Sequence, residues 1–330
     1  MEIVFNPINE KDLYNCFEYG IINILLYYKQ NFEYVLSDSM NISLSDEAID
    51  GNFHVNKRNF FLNSNFYNLS EQYFGIKFKK VKADNVTNVF DYVKQELFQN
   101  HIVLINIDLY YDIARNDYYK KVHCVNHCRI VTGIIDDNVV LYNWNERYLM
   151  PCQDFVNGTC QIITYSINQD FEKINGGFEK ITLRNSLENL CGIYITKEWI
   201  NNLQKWEKSF EQLSFPNIFS NDSIILTYPL FEDIRVLVRS RKRYKIYVEK
   251  CLLGFEKESN KDKYNIVINK LASITMKYQL MKNLLLKEEK VYIQNNYVDR
   301  SIIIINNLKK LMDEAIILEK EFLEIIRKLY

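Results

Sequence analysis

Three kinds of segment are missing from this chain. No stretch reaches the ~18 consecutive apolar residues of a membrane-spanning helix, so no membrane association is expected. The opening residues, Met1-Glu2-Ile3-Val4-Phe5-Asn6-Pro7, carry no basic run ahead of an apolar core, so no signal peptide is expected either. Of nine glycines only Gly176 and Gly177 adjoin, and they lack the pattern of a phosphate loop; there is no Walker or dinucleotide motif. An excess of charge of one sign is also lacking. Lys and Arg number 41 against 42 Asp and Glu, a net charge of −1, which gives no ground for general nucleic-acid binding. Histidine is scarce: His54, His101, His123 and His127 are all there are. Seven cysteines make an odd count without a regular framework, so reduced thiols and a cytoplasmic location are expected.

What is present is ordinary for a globular protein with a real core: 330 residues, 48% hydrophobic and 25% charged, enough for one large domain or two. The 14% aromatic share accompanies abundant Asn, Ile and Lys and reads as codon bias rather than as a binding signature. Along the chain, residues 1–12 read as a short strand or turn, and 31–65 as loops and short elements suited to lining a cleft. A helix ends at Gly75, Ile76–Val81 alternates like a strand, and Asn85–Phe98 is an amphipathic helix. His101–Asp108 is nearly continuously apolar and reads as a central strand. His127–Ile135 is a second strand, Asp136-Asp137-Asn138 a hairpin turn, and Val139–Asn143 the return. Gln161–Ile167 and Ile193–Thr196 read as short strands. From Glu198 onward the pattern is helical, broken at Pro216, at Pro229, and at Gly254 with the loop Glu256–Asp262; the last helix is expected from about Val298 to Tyr330. Two domains are expected, 1–197 and 198–330, the second packed on the first.

One stretch carries chemistry. Ile21, Ile24, Leu25 and Tyr28 fall at helical spacing on one face, and Asn9, Asp12 and Asn15 ahead of them are residue types that cap helices. Cys16 would then sit in the first turn, where unpaired N–H groups and the helix dipole favour a thiolate. A free cysteine is more often a small buried hydrophobe, so the reading needs a base nearby. His101 opens a buried strand and His54 sits in a polar loop. His127, at the start of a strand, is best placed to be presented at a sheet edge. With Asp136-Asp137-Asn138 as the whole turn, Ile135 pairs with Val139, His127 opposes Arg147 and Asn143 opposes Val131. His127 and Asn143 then share a face, offset along it; a bulge would alter this. His123, Cys124, His127 and Cys128 are zinc-type donors, but adjacent strand residues point to opposite faces and no second cluster completes a site, so no metal is expected.

The order of these pieces resembles the butirosin-biosynthesis BtrH-like family. The matching residues are Asn15-Cys16 with Asn23-Ile24-Leu25, Asn106-Ile107-Asp108-Leu109-Tyr110-Tyr111, the segment His123–His127, and Val131-Thr132-Gly133-Ile134-Ile135-Asp136-Asp137. The helical C-terminal region is also similar to the family's second part, so the resemblance covers most of the chain. It implies an α+β, papain-like cysteine-protease fold related to the C39 peptidases, with a C-terminal helical region. It also implies Cys16 as nucleophile, His127 as base and Asn143 as orienting residue, where relatives commonly carry Asp. The family's Ser-Glu segment after the first helix is poorly matched by Ser37-Asp38 or Ser45-Asp46-Glu47. Asn9, beside the Cys16 backbone N–H, is a candidate oxyanion donor.

The implied activity is acyl transfer in specialised-metabolite biosynthesis, of the antibiotic or nonribosomal-peptide kind. A thioester on a carrier protein, through its phosphopantetheine, gives its acyl group to Cys16 and then to a small-molecule amine, with no other cofactor. A closely similar family member, of the closthioamide type, couples thioesters to a diamine. Asp108, Tyr110, Tyr111 and Asp112 are expected to line the acceptor site, their carboxylates drawing in an ammonium. The basic run Arg235, Arg239, Arg241, Lys242, Arg243, Lys245 reads as a solvated helix face; the alternative is a dock for the acidic carrier. A hydrolase using water as acceptor and a non-catalytic scaffold are the rival readings, and a homodimer is left open.

Overall fold

The computed structural model describes residues 1–10, 12–63, 65–125, 127–168, 171, 178–196, 198–213, 229–253, 261–295 and 301–329. Asn126, Gly176-Gly177, Pro216, Gly254, residues 256–260 of the expected loop, and the two ends of the last expected helix lie outside them. The fold is mixed α+β. It divides into two compact units, Met1–Val35 with Asn65–Lys173, and Leu36–Ser64 with Ile174–Tyr330. The division after Lys173 differs from the boundary expected near residue 197, and the polar segment that was to line a cleft goes with the helices.

In chain order the elements begin with α1 (Cys16–Tyr27), then β1 (Ile42–Leu44), the single turn α2 (Asp46–Ile49) and β2 (Phe60–Leu62). There follow α3 (Phe66–Phe74), β3 (Ile76–Lys82), α4 (Val89–Phe98), β4 (Val103–Ile107), β5 (His127–Ile135), β6 (Asn138–Asn143), β7 (Glu146–Pro151), α5 (Cys152–Gly158) and β8 (Thr159–Ile167). The chain then continues through α6 (Phe178–Thr196), α7 (Trp199–Ser209), α8 (Pro229–Leu253), α9 (Lys261–Asn295) and α10 (Ser301–Leu329).

The first unit is built on an antiparallel sheet of six strands in the order β3-β8-β4-β5-β6-β7. Strand β4 lies inside the sheet, as its apolar run requires: Val103, Leu104, Ile105 and Ile107 are all buried. Helix α1 was expected to bury one face. It buries every residue from Glu18 to Leu25, because Gly20 lets it come so close to β4 that a Cβ there would meet Leu104 at 2.8 Å. Helix α3 stops at Gly75, whose φ of +64° is the left-handed conformation that glycine adopts at no steric cost. The β5–β6 hairpin turns on two residues rather than three. Asp136 takes φ +50° and Ile135 pairs with Asn138. A bulge between Val131 and Gly133 shifts the register once more.

In the second unit the stretch Ile193–Thr196, read as a strand from its β-branched residues, is the last turn of α6. Tertiary contact overrides the local preference: Tyr194 is buried, and its hydroxyl donates to Glu319 Oε2 at 2.5 Å. The break expected at Pro229 is the start of α8, where the missing N–H has no intrahelical partner to lose. Within α8, Arg241 and Arg243 are fully buried, which removes two of the six residues of the basic run from any solvated face; Lys242 is exposed, and Arg235, Arg239 and Lys245 are partly exposed. Arg241 Nη2 lies 2.7 Å from Glu319 Oε1, and its guanidinium stacks 4.9 Å from the Trp199 ring centroid.

The inserted segment is fastened to α8 by Asp233. One of its carboxylate oxygens accepts the N–H groups of Asn59 (2.9 Å) and Phe60 (3.0 Å), and the other accepts Asn59 Nδ2 (2.7 Å). Asp233→Ala strips three buried donors of their acceptor and should lower the stability of this unit by about 3 kcal/mol or more. Asp233→Asn keeps one acceptor oxygen for the two backbone donors and should lose less. Urea midpoints at constant slope measure both; two variants within about 0.5 kcal/mol of the parent would contradict the anchoring role.

Candidate active site

Cys16 is the first residue of α1, and its position is set by a reciprocal cap. The Asn15 side chain accepts the Glu18 N–H at 2.9 Å, and the Glu18 carboxylate accepts the Asn15 N–H at 2.8 Å. The helix start therefore cannot fray without losing both bonds. The β5–β6 ladder ends at the Ile130–Tyr142 pair. Beyond it, the backbone N–H of Cys128 donates to Cys16 Sγ at 3.3 Å. The head of α1 takes the place at the β5 edge that β6 has left. The sulfur thus sits between the first turn of a helix and a strand N–H.

His127 is the residue before Cys128, opposite Ile107 on β4 and half-buried. Burial, then the positive charges of Arg129 and Arg115, hold its pKa below the ordinary imidazole value, with Asp112 opposing in part. The ring is therefore neutral at pH 7 and able to accept a proton. Among the described residues it makes no hydrogen bond, to Cys16 or to Asn143; contacts of this kind often tighten only when substrate is bound. Extended one residue past its last pair, the register sets Asn143 opposite Arg129 instead of Val131, and β6 ends there, before it reaches His127. The two shifts, a shorter turn and a bulge, preserve parity. His127 and Asn143 still share a face, now one side-chain step apart rather than two.

The segment that carries Asn9 is tied to α1. The Ile8 N–H donates to Asn23 Oδ1 (2.9 Å) and Tyr19 OH donates to the Ile8 carbonyl (2.7 Å), which tie this segment along the helix. The Asn9 carboxamide oxygen then accepts Asn145 Nδ2 at 3.2 Å. The β6–β7 turn is held to the same helix by Trp144, edge-on to Tyr19 with ring centroids 4.8 Å apart. Trp144 adopts φ +57°, a conformation a bulky residue takes only where its surroundings enforce it.

The tyrosine loop that follows β4 differs from expectation in its charge. Asp108 accepts His123 Nδ1 (2.6 Å) and the N–H groups of Tyr110 (3.1 Å) and Cys124 (2.9 Å). Burial works to raise its carboxyl, but these donors outweigh burial and hold it below the usual carboxylate range. Asp112 is fully buried and paired with Arg129. Neither carboxylate is presented to an incoming ammonium. Tyr110 stacks on His123 with centroids 4.2 Å apart, and Tyr111 packs on Gly158, where a Cβ would stand 2.7 Å from Tyr111 Cβ. Lys120 Nζ lies 4.7 Å from the Tyr111 centroid and 2.7 Å from Asp154. Among the described residues, no three His, Cys, Asp or Glu side chains converge as ligands for a metal ion, and no helix is long and apolar enough to cross a membrane.

The sequence reading missed two features. One is the Cys128 N–H, a backbone donor with no side-chain signature. The other is Arg129, whose signal was available: an arginine inside the apolar run Cys128–Val131 requires a buried partner. Comparison with protein-family models finds no match for this chain, and comparison with curated proteins finds none either.

Among the thiols, Cys128, Cys191 and Cys251 are buried, and Cys160 is exposed. The Cys160 thiol is nonetheless pushed up, first by loss of solvation and then by the Asp108 carboxylate. A limiting alkylating agent at neutral pH should therefore label Cys16 first. Asn15→Ala, which costs about 1 kcal/mol of helix capping, should slow that labelling. Peptide mass mapping in which Cys160 or Cys124 is labelled ahead of Cys16 would count against the site.

Proposed function

We propose that the chain is a cysteine-dependent acyltransferase of the papain-like, BtrH-like kind, moving an acyl or peptidyl group from a carrier-protein thioester through Cys16 to an amine. The observation that carries this reading is the placement of Cys16 Sγ at the capped head of α1, against the Cys128 N–H and one residue from His127. The order of motifs supports the family, and an antiparallel sheet that brings His127 and then Asn143 to one face supports the papain-like comparison.

The chemistry follows from these groups. Neutral His127 takes the Cys16 proton as the sulfur attacks the thioester carbonyl. The new S–C bond forms, the carrier's thiol leaves, and the imidazolium returns the proton to it. This exchanges one thioester for another and needs little driving force. A neutral amine then attacks the acyl-Cys16 carbonyl, His127 accepts the amine proton, the C–S bond breaks, and the departing Cys16 sulfur takes that proton back from His127. The second step runs downhill from thioester to amide. Unpaired N–H groups in the first turn of α1 are the donors for the developing oxyanion, with Asn9 available if it leaves Asn145. In this reading the acceptor lies by the tyrosine loop, where Lys120 over the Tyr111 ring already holds an ammonium that a cationic amine could replace before it loses its proton.

Water and amine compete for the same intermediate. Water stands at ~55 M, so an amine prevails only when it is held in place, where effective molarities reach about 10⁵ M or more. With a small acyl thioester and millimolar diamines or polyamines, amide should form at the expense of acid and saturate with amine. Cys16→Ala should form neither product. Activity should fall on the acid side only as pH drops through the lowered His127 value, below the ordinary 6.5, because the base is lost when the ring is protonated. Hydrolysis that no amine diverts, with cleavage of peptide amides, would make the chain a hydrolase instead.

A further inference from the structure

Arg129 stands in a strand that is otherwise apolar, with its side chain 2% exposed and that of Asp112 0% exposed. Arg129 Nε donates to Asp112 Oδ2 at 2.8 Å, and Nη2 lies 2.6 Å from the same oxygen. The other Asp112 oxygen accepts Tyr148 OH (2.9 Å) and the Ala114 N–H (3.1 Å). A buried ion pair of this kind contributes little net stability; apolar residues of equal volume serve as well or better. Its presence needs a different account, and its remaining contact supplies one. Arg129 Nη1 donates to the Cys128 carbonyl at 2.9 Å. Cys128 is the residue whose N–H meets Cys16 Sγ. It is therefore held on one side by the nucleophile and on the other by the guanidinium. Arg129 also lies two residues from His127 on the same strand face, opposite Asn143 by extension of the ladder.

We propose that Arg129, locked by Asp112 and Tyr148, is the positioning residue of the site: it fixes the strand segment that carries His127 and meets Cys16, and it supplies the fixed positive charge beside the imidazole. The charged groups that act on that ring are Arg129 on its own strand and Arg115 and Asp112 from the loop after β4; the Cys16 thiol, from α1, meets the backbone N–H of the next residue. Of the two members of the ion pair, Arg129 acts on His127 more strongly than Asp112 does. Removing both should therefore release the imidazole upward. Tyr148 reaches the pair from β7, so the device also ties the tyrosine loop to the strands that flank the site. Its catalytic meaning rests on the acyl-transfer reading; the placement and the charge do not.

The test is the His127 proton titration followed by NMR, together with the rate of Cys16 alkylation, in the full chain. The double variant Asp112→Leu with Arg129→Met removes the charges and keeps the volume. It should fold, raise the His127 midpoint toward 6.5, and slow Cys16 alkylation severalfold. Arg129→Lys keeps the charge but not the fork; it should hold the His127 midpoint low while slowing alkylation. If the double variant does not fold, Arg129→Lys decides alone. A folded variant of either kind with parental alkylation rate, or a double variant with an unmoved His127 midpoint, overturns the proposal. A double variant that moves His127 as described, beside a parent chain that transfers no acyl group, overturns the acyl-transfer reading and leaves the positioning role standing.

Discussion

A strand that outruns its neighbour leaves backbone N–H groups that must find another acceptor, and this constraint organises the first unit. Strand β5 continues past the point where β6 leaves it. The donor at Cys128 is satisfied by a sulfur, and that sulfur is delivered by the head of a helix. The capping box at Asn15 and Glu18 fixes where the helix starts. Gly20 sets how closely it lies on β4, and the bonds from Asn23 and Tyr19 to Ile8 fix the segment that leads into it. Each of these reads as local structure, and together they leave Cys16 one possible address.

The charges around that address follow a single logic. Two carboxylates of the tyrosine loop are internally spent, Asp108 on His123 and backbone N–H groups, Asp112 on Arg129. What His127 feels on balance is burial and positive charge. A neutral imidazole is the form that can take a proton from a thiol or an amine. In the proposed reaction that form acts as a general base rather than as a preformed imidazolium.

Much of the first unit was legible because its signals are local. The Gly75 stop, the alternation of β3, the apolar run of β4 and the hairpin at Asp136-Asp137 each announce themselves over a few residues. Cys16 at a helix head was legible from spacing and cap residues alone. The register of Asn143 was not, because a bulge at one residue leaves no mark in a run such as Val131-Thr132-Gly133. Ile193–Thr196 misled because β-branched residues favour strands until a buried partner such as Glu319 claims the neighbouring tyrosine. The basic run of α8 was legible only in part: charge counts in sequence do not reveal that Arg241 and Arg243 turn inward while Lys242 stays exposed. Long-range pairings such as Asp112 with Arg129 are invisible to periodicity, though a lone arginine among apolar strand residues asks for one.

The central claim is that Cys16 is a nucleophile served by His127. It is tested most directly by intact mass measurement after brief exposure to a small acyl thioester with no amine present. The account predicts one acyl group per chain, mapped to Cys16, lost on treatment with hydroxylamine, and formed far more slowly in His127→Ala. Acylation that is absent, that falls on another cysteine, or that proceeds at the parental rate in His127→Ala would contradict it.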